Sequence, residues 1–261
     1  MTQGFAARLE VDGQAASLEQ IWAIDLSPGG HFTAMQVRGG ATPGLEFHLA
    51  RLDAASREMF GTGLDGDLVR GYLRHALDGI ADASARVNVF RPDGAGEVSV
   101  LVSVRPPAAP PSRPQRLQSV TYQRPLAHLK HSTGFGQNYF AGLASGNGFD
   151  EALFTSPDGE ISEGSITNIA FLDGDAIVWP TAPALLGVMM QVLQRELTRA
   201  GVPWRTAPVR LADLPSPGGA LVTNSHGLAA VASIDDLVLP DDTGLHRTAA
   251  KLLAAAPYDL I

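Results

Sequence analysis

Lysine is rare in this chain, and one of the two lysines lies in a stretch whose residue types suit covalent chemistry. Nineteen residues are lysine or arginine, but only Lys130 and Lys251 are lysines. Lys130 lies between His128 and His131 in AHLKHSTGFGQNYF, residues 127–140. Arginine forms the better ion pairs, whereas lysine can lose its proton at modest cost and attack a carbonyl as a free amine. The pattern therefore indicates Lys130 as a candidate nucleophile.

A carboxylate and a predicted helix start supply groups that such a lysine needs in one kind of cofactor chemistry. Glu163 lies in DGEISEGSITNIAF beside Gly164, which lets a backbone approach a ligand closely. Taken alone, Glu163 is typical of a solvated turn. A Schiff base between lysine and pyridoxal phosphate, however, needs a carboxylate opposite the pyridine nitrogen and anchors for the phosphate. An arginine fork is one such anchor, and the helix start predicted at LLGVMM, residues 185–190, is another.

Other catalytic motifs are absent from the sequence. The chain has no cysteine, which excludes disulfides and thiolate chemistry. GFGQNY lacks the third glycine of a dinucleotide fingerprint, and neither G-x-x-x-x-G-K nor G-x-S-x-G occurs. His128 and His131 have a spacing that can ligate a metal, but no H-E-x-x-H motif or adjoining carboxylate accompanies them. Packing histidines are favoured, and no metal site is predicted.

Composition and charge narrow the class of protein. With 261 residues, 45% of them apolar, the chain suits one large or two small globular domains. A formal net charge of −8 argues against a general nucleic-acid binder. No run approaches about eighteen apolar residues and no signal-peptide core is present, so we expect no membrane partner and a cytoplasmic location.

A proline-rich stretch divides the elements that must position these residues. Residues 106–114, PPAAPPSRP, contain five prolines, which disfavour helix and sheet and predict a semi-rigid connector. We assign 1–105 to a small N-terminal domain, 106–120 to the connector and 121–261 to a large domain that binds the cofactor.

Periodicity predicts strands and helices in both domains. Before the connector, strands are predicted in RLEVDG, HFTAMQVRGG, RVNVFRP and EVSVLVSV, and helices in LEFHLARLDAASREMFG and GDLVRGYLRHALDGI. After it, EALFTSPDGEISEG and NIAFLDGDAIVWP predict hairpins closed by PDG and DGD turns. A helix follows in GVMMQVLQRELTRAG, and its apolar residues share one face: Val188, Met189, Val192, Leu193 and Leu197. The fold class is therefore α+β, with two domains.

Six segments that span most of the chain follow the pattern of one known family. They are GGHFTAMQV, FHLARLDAAS, HLKHS, DEALFTSPDGEISEGSITNIAF, LLGVMMQVL and LVTNSHGLAAVASIDD. In these segments the sequence resembles the class IV aminotransferases, the fold-type IV pyridoxal phosphate enzymes. The lysine and the E-G-x-x-x-N element are specific together, whereas the other segments are weak alone. The resemblance implies a small N-terminal α/β domain and a larger, mainly β C-terminal domain with helices.

The resemblance also implies a role for each matching residue. Lys130 forms the Schiff base and moves the Cα proton, Glu163 holds the protonated pyridine nitrogen, and Asn168 braces that loop. The implied phosphate ligands are Arg51, the backbone N–H groups of Val188 and Met189, and the hydroxyl of Ser225. The implied substrate-binding residues are Phe32, Thr33, Arg91, His226 and Gly227. Without the resemblance, Arg51 is typical of a solvated helix and Ser225 of a turn.

Three features depart from the family pattern. Many members have a threonine at the helix start where this chain has Met189, which leaves only backbone donors there. Branched-chain enzymes have a tyrosine five residues after the lysine, where Phe135 cannot donate and Tyr139 is the candidate substitute. The R-x-H pair with which D-amino-acid enzymes hold a carboxylate is missing, and Arg91 is the only cation in VNVFRPDGAGE.

Two reactions are compatible with these residues, and so is a homologue without catalytic activity. A transaminase moves an amino group between an amino acid or amine and a keto acid, and most of the family are transaminases. The alternative is 4-amino-4-deoxychorismate lyase, which releases pyruvate and 4-aminobenzoate with a hydroxyl such as that of Thr33 as acid. It is favoured by the lysine-to-glutamate spacing, the FT pair after GGH and the methionine after G-V, although Met190 replaces the arginine that follows in the lyase. The third alternative is a homologue that binds the cofactor but catalyses no reaction. The presence of Lys130 and Glu163 weighs against it.

The resemblance implies a homodimer whose active site lies near the subunit interface, and small-molecule partners rather than macromolecules. The motifs do not specify the substrate side chain or the configuration at Cα.

Overall fold

The structure is a computed structural model that describes residues 7–21, 29–92, 96–214, 218–240 and 244–261. Within these ranges the chain divides into two compact units. The first holds the residues up to 108 with 129–133 and 257–261, and the second holds 109–128 and 134–256. The division does not follow chain order, because the segment that carries Lys130 belongs to the first unit. The domain boundaries expected from the sequence stay a prediction.

A five-stranded antiparallel sheet is the base of the first unit. The strands on this part of the chain are β1 (Arg8–Val11), β2 (Gln14–Ala15), β3 (Gly30–Val37), β4 (Ala41–Pro43), β5 (Ala83–Phe90) and β6 (Ser99–Arg105). The order in the sheet is β2, β1, β6, β5, β3, and β3 pairs with β5 over its full length. Side chains of β3 alternate between buried and half-buried positions, so Phe32 and Thr33 lie on opposite faces of the strand. The four strands predicted before the connector are confirmed.

Two helices pack against this sheet, and both match the prediction. Helix α1 (Leu45–Phe60) lies between Gly44 and Gly61, which adopt the left-handed conformation that glycine tolerates best. Helix α2 (Gly66–Ala76) begins at Asp65, whose carboxylate accepts a hydrogen bond from the N–H of Asp67 at 2.9 Å. The helices and strands share one apolar core, which includes Met35, Leu52, Leu73, Val87 and Val102.

A nine-stranded mixed sheet is the base of the second unit. Its strands are β7 (Gln115–Thr121), β8 (Glu151–Thr155), β9 (Ile161–Gly164), β10 (Asn168–Asp173), β11 (Ala176–Pro180), β12 (Trp204–Ala207), β13 (Ala220–Asn224), β14 (Gly227–Ile234) and β15 (Leu237–Val238). The order is β12, β11, β10, β13, β14, β7, β8, β9, with β15 beside β14. The pairs β8–β9 and β10–β11 are antiparallel, which confirms the two predicted hairpins.

Three helices and a short 3-10 turn complete the second unit as described. They are α3 (Phe135–Gly146), α4 (Val188–Arg199), α5 (Gly244–Ala254) and the turn Leu211–Asp213. Helix α4 is confirmed, and Val188, Val192, Leu193 and Leu197 are buried on one face. Helix α3 was not expected, because glycines at 136 and 142 lower its helix propensity. Gly136 is required by packing, since a Cβ there would lie 2.3 Å from the Tyr122 hydroxyl oxygen.

The connector and the chain end show two further features. Residues 106–114 contain no helix or strand, and β7 begins directly after them. Strand β16 (Tyr258–Leu260) pairs antiparallel with β4 in the first unit. None of the helices in the described ranges is long and apolar enough to cross a membrane.

Candidate active site

Backbone pairing with β3 holds Lys130 in place in the first unit. The N–H of Phe32 donates to the Lys130 carbonyl at 2.8 Å, and the N–H of Ser132 donates to the Gly30 carbonyl at 2.7 Å. The segment 129–133 therefore behaves as a short extra strand at the sheet edge. Its pairing brings the Lys130 ammonium group to 4.9 Å from the centroid of the Phe32 ring.

A second cation lies over the same aromatic ring. The guanidinium carbon of Arg86, on β5, lies 3.6 Å from the Phe32 ring centroid. Burial, with a smaller contribution from Arg105, lowers the pKa of Arg86 from its ordinary value. Arg86 was missed in the sequence, because only the pairing of β3 with β5 brings it next to Phe32. Lys130 and Arg86 are thus neighbours around one ring.

On the opposite face of β3, Thr33 joins a buried hydrogen-bonded chain. Its hydroxyl oxygen accepts a short hydrogen bond from Arg51 Nη2 and lies 2.6 Å from Nδ1 of His48. Because arginine can only donate, the Thr33 hydroxyl hydrogen is left to donate to His48. Burial, and then the positive charges of Arg51 and Lys130, keep the pKa of His48 well below its ordinary value. A neutral His48 that accepts at Nδ1 is therefore consistent with both the geometry and the electrostatics.

Arg51 has the properties of an anion-binding group. Burial lowers its pKa to about 10, so the guanidinium stays charged at neutral pH. Its Nε is buried without a hydrogen-bond partner, and no ion pair involves Arg51 within the described residues. A desolvated positive charge is costly unless an anion neutralises it, and the guanidinium fork suits a phosphate or carboxylate. The solvated-helix interpretation of Arg51 is therefore wrong.

In the second unit, Glu163 is held by a buried network. It lies in β9 and is only 4% exposed, which excludes a solvated turn residue. One carboxylate oxygen accepts from Arg124 Nη1 at 2.8 Å, and the other accepts from the N–H of Leu185 at 3.0 Å. Arg124 is also buried, and it donates to the carbonyl of Ala127 at 3.0 Å. The network fixes the orientation of the carboxylate.

Asn168 connects this network to the start of α4. Its side-chain amide donates to the Leu185 carbonyl at 2.7 Å, so Leu185 is held through both of its backbone groups. Gly187, directly before α4, allows this contact, since a Cβ there would lie 1.9 Å from Asn168 Oδ1. No side chain of the described residues caps α4, so the N–H groups of Val188 and Met189 are suited to an anion.

The remaining predicted residues lie on two turns and at a helix start. Ser225 and His226 form the tight turn between β13 and β14, where the N–H of His226 donates to Asn224 Oδ1 at 2.8 Å. Gly227 follows with φ of 133°. Arg91 donates to the Phe60 carbonyl at 2.9 Å and lies over the Phe60 ring. Phe135 is 83% exposed at the start of α3 and stacks on Tyr139. The roles expected of these residues stay predictions.

Among the residues described, no three His, Asp or Glu side chains are grouped so that they could hold a metal ion.

The chain matches the model of a known protein family over most of its length. The model of the family described as amino-transferase class IV matches residues 30–234. A sequence search among curated proteins finds no match.

Solved structures share the fold over nearly the whole chain. A hypothetical aminotransferase from Mycobacterium tuberculosis in its PLP-bound form has 20% identity and a TM-score of 0.83, over 95% of this chain and 98% of that one. The branched-chain aminotransferase from Thermoproteus uzoniensis with norvaline has 17% identity and a TM-score of 0.84, over 95% and 93%. A 4-amino-4-deoxychorismate lyase from Pseudomonas aeruginosa has 25% identity and a TM-score of 0.77, over 94% and 97%.

The contact between Gly187 and Asn168 generates a stability prediction. Gly187→Ala must displace the Asn168 side chain from Leu185, so we expect the free energy of unfolding to fall by about 1–3 kcal/mol. Gly142→Ala is the matched control, because a Cβ at this helix position would have no atom of the described residues within 4 Å apart from its own stretch of helix. There the free energy of unfolding should rise by about 0.5–1 kcal/mol. Urea denaturation measures both, and equal effects at the two sites would contradict the assigned contact.

Proposed function

The chain belongs to the class IV aminotransferase family, and from that premise we propose how its residues move an amino group between an amino donor and a keto acid. It is a pyridoxal phosphate-dependent transaminase. The main support for the roles proposed for individual residues is the buried Glu163. Its two carboxylate oxygens are oriented by Arg124 and the N–H of Leu185. A carboxylate fixed in this way is what a protonated ring nitrogen requires.

The residues present fit pyridoxal phosphate. The phosphate needs cations and N–H donors, and the buried guanidinium of Arg51 with its unpartnered Nε supplies the first. The uncapped start of α4 at Val188 and Met189 supplies N–H donors, and the Ser225 hydroxyl is a further candidate. The Lys130 amine is the group that binds the aldehyde.

Each residue has a defined task in the reaction. When bound, pyridoxal phosphate supplies an aldehyde that condenses with amines and a protonated ring that withdraws electrons from Cα. Lys130 Nζ would be the amine that holds the aldehyde and, once free, the base that accepts the proton of the donor's Cα and passes it on. Glu163 keeps the ring nitrogen protonated, while Asn168 holds the segment that leads into α4. Arg51 neutralises the phosphate, and the Thr33–His48 chain orients the guanidinium.

We assign substrate recognition to the Phe32 face of β3. Phe32, Lys130 and Arg86 are neighbours on this face, so Arg86 is the cation best situated for a donor carboxylate. Arg91, the residue that the sequence indicated, donates to the Phe60 carbonyl. His226 and Gly227 remain candidates on the turn after β13.

The lyase is a second candidate, and one observation favours it. The Pseudomonas aeruginosa lyase shares 25% identity over 94% of this chain. The lyase reaction, however, was expected to use the Thr33 hydroxyl as acid. That hydroxyl is fully buried and directed to His48, with Arg51 donating to its oxygen. This arrangement favours transamination.

Homodimer formation is part of the proposal, as is a cytoplasmic location. Phe135, Tyr139 and Leu143 are exposed at four-residue intervals, so they share one face of α3. An apolar helix face of this kind suits burial against a second copy of the chain. Light scattering should give the mass of a dimer, and a strictly monomeric, active protein would contradict the assembly.

The first functional prediction concerns the ring nitrogen. Glu163→Gln leaves a neutral amide that no longer favours the protonated ring, so turnover should fall by two to four orders of magnitude, or about 3–5 kcal/mol. Cofactor affinity, measured by titration, should change much less. Glu160→Gln, on the same hairpin, is the matched control and should keep turnover within about twofold. Near-normal turnover in the Glu163 variant would show that the carboxylate has no part in the reaction.

The second prediction separates the two reactions. A transaminase stores the amino group on its cofactor, so mixing the enzyme stoichiometrically with a donor should shift the absorbance to shorter wavelength without a keto acid. A panel of D- and L-amino acids and (R)- and (S)-amines provides the donors. Aminodeoxychorismate should give little 4-aminobenzoate. If no donor shifts the spectrum while aminodeoxychorismate releases pyruvate rapidly, the chain is a lyase.

The third prediction tests the substrate cation. Arg86→Gln removes a charged hydrogen-bond donor, so kcat/KM for amino acids should fall about 10–100-fold. Amines without a carboxylate should change less than about threefold, because they lose no such contact. Arg91→Gln is the control, and it should not discriminate between the two donor classes. Selective loss of amino-acid activity in the Arg91 variant alone would reverse the assignment.

A further inference from the structure

A second buried carboxylate lies under the loop that carries Glu163. Glu151 is the first residue of β8 and is 6% exposed. Its oxygen Oε1 accepts hydrogen bonds from the N–H of Ile166 at 2.7 Å, the N–H of Thr167 at 3.1 Å and the hydroxyl of Ser165 at 3.3 Å. Oε2 accepts from the Thr167 hydroxyl at 3.0 Å. All four donors come from three consecutive residues.

Those residues form the connection between β9 and β10. Glu163 lies just before the connection and Asn168 just after it. The N–H of Gly164 donates to the Thr167 carbonyl at 2.9 Å, so the connection is a closed turn around the Glu151 carboxylate. A Cβ at Gly164 would lie 2.4 Å from Glu151 Oε1. The glycine beside Glu163 thus allows Glu151 to approach the turn.

Among the described residues, no charged side chain forms a hydrogen bond or ion pair with Glu151. The elements packed against Glu151 are β7, β9 and α3. Helix α3 has no charged residue, and β9 carries only Glu163, which is paired with Arg124. Arg116 on β7 donates to the Gly148 carbonyl. Burial outweighs the four hydrogen bonds and raises the pKa of Glu151 to about 7.

We propose that Glu151 is a positioning residue, which holds the 165–167 turn so that Glu163 and Asn168 keep the geometry that the cofactor requires. The inference rests on the proposed function. The hydrogen bonds of Glu151 all come from residues 165–167, and none involves Glu163. It acts by fixing the backbone between the ring-nitrogen carboxylate and the side chain that holds Leu185. Misplacement of a reacting geometry by about 1 Å can cost about 100-fold in rate.

Hydrogen exchange of the full-length chain tests the claim with or without pyridoxal phosphate. The Leu185 N–H donates to Glu163, so its protection reports the position of that carboxylate. In Glu151→Ala, exchange at Leu185 should accelerate at least about tenfold, together with Ile166 and Thr167. In Glu151→Gln, whose amide oxygen can still accept from both N–H groups, protection should stay near that of the native chain. Faster exchange at 166 and 167 with unchanged Leu185 would overturn the proposal.

Kinetics provide the second readout. Glu151→Ala should lower kcat about 10–100-fold with less than about threefold change in the KM of the donor, and Glu151→Gln should restore kcat. If the alanine variant does not fold, Glu151→Asp is measured instead, since it keeps the charge but withdraws it by one methylene. A normal kcat in whichever of these two variants folds would overturn the proposal. A chain that binds no pyridoxal phosphate would contradict the proposed function, while exchange at Leu185 would still test Glu151.

The pH dependence of stability gives an independent check. With a folded pKa of about 7 against an ordinary 4.5, the native state holds a proton that the unfolded state releases, and the stability it contributes is lost between about pH 4.5 and 7. Glu151→Gln has no such proton to lose. Its Tm relative to the native chain should therefore rise by about 5–10 °C from pH 5 to pH 8. A constant difference would contradict the raised pKa, because the four hydrogen bonds would then keep the Glu151 carboxylate ionised over this pH range.

Discussion

The arrangement of the candidate site residues in the second unit depends on the buried carboxylate of Glu163. A carboxylate removed from water must be paired, and the ion pair with Arg124 and the hydrogen bond from Leu185 meet that requirement. Because Leu185 is also held by Asn168, the same network fixes the segment before α4. The pairing of this one carboxylate therefore fixes both the orientation of Glu163 and the backbone at Leu185.

The first unit holds positively charged side chains near strand β3. Because side chains alternate in direction along the strand, these charges lie on its two faces. Thr33 and His48 orient Arg51 on one face, whereas Phe32 lies beside Lys130 and Arg86 on the other. Burial, and then the positive charges of Arg51 and Lys130, keep the pKa of His48 well below its ordinary value, so the neutral histidine can act as an acceptor. In the proposed function, the Arg51 face of this strand binds the phosphate and the Phe32 face binds the substrate.

The sequence predicted those helices and hairpins that have a clear local pattern of apolar residues or turn residues. Helices α1, α2 and α4 have clear apolar periodicity, and the β8–β9 and β10–β11 hairpins are closed by PDG and DGD turns. Strand β7, helix α3 and the elements that follow α4 were not predicted. Parallel pairing determines β7, and tertiary contacts such as that of Gly136 with Tyr122 determine α3. The candidate lysine and glutamate could be found from residue type and family pattern. Arg86, Arg124 and Glu151 could not, since each partner is distant in sequence and only the folded sheet brings it close.

Lys130 is the residue proposed to carry the cofactor, and the chain has only one other lysine, Lys251, which is exposed on α5. Borohydride reduction of the protein loaded with pyridoxal phosphate, followed by peptide mapping by mass spectrometry, tests this directly. We predict that reduction fixes the cofactor irreversibly on the peptide that contains Lys130, and that Lys130→Ala abolishes the label. Labelling of Lys251, or no label in a protein that retains activity, would contradict the assignment of Lys130.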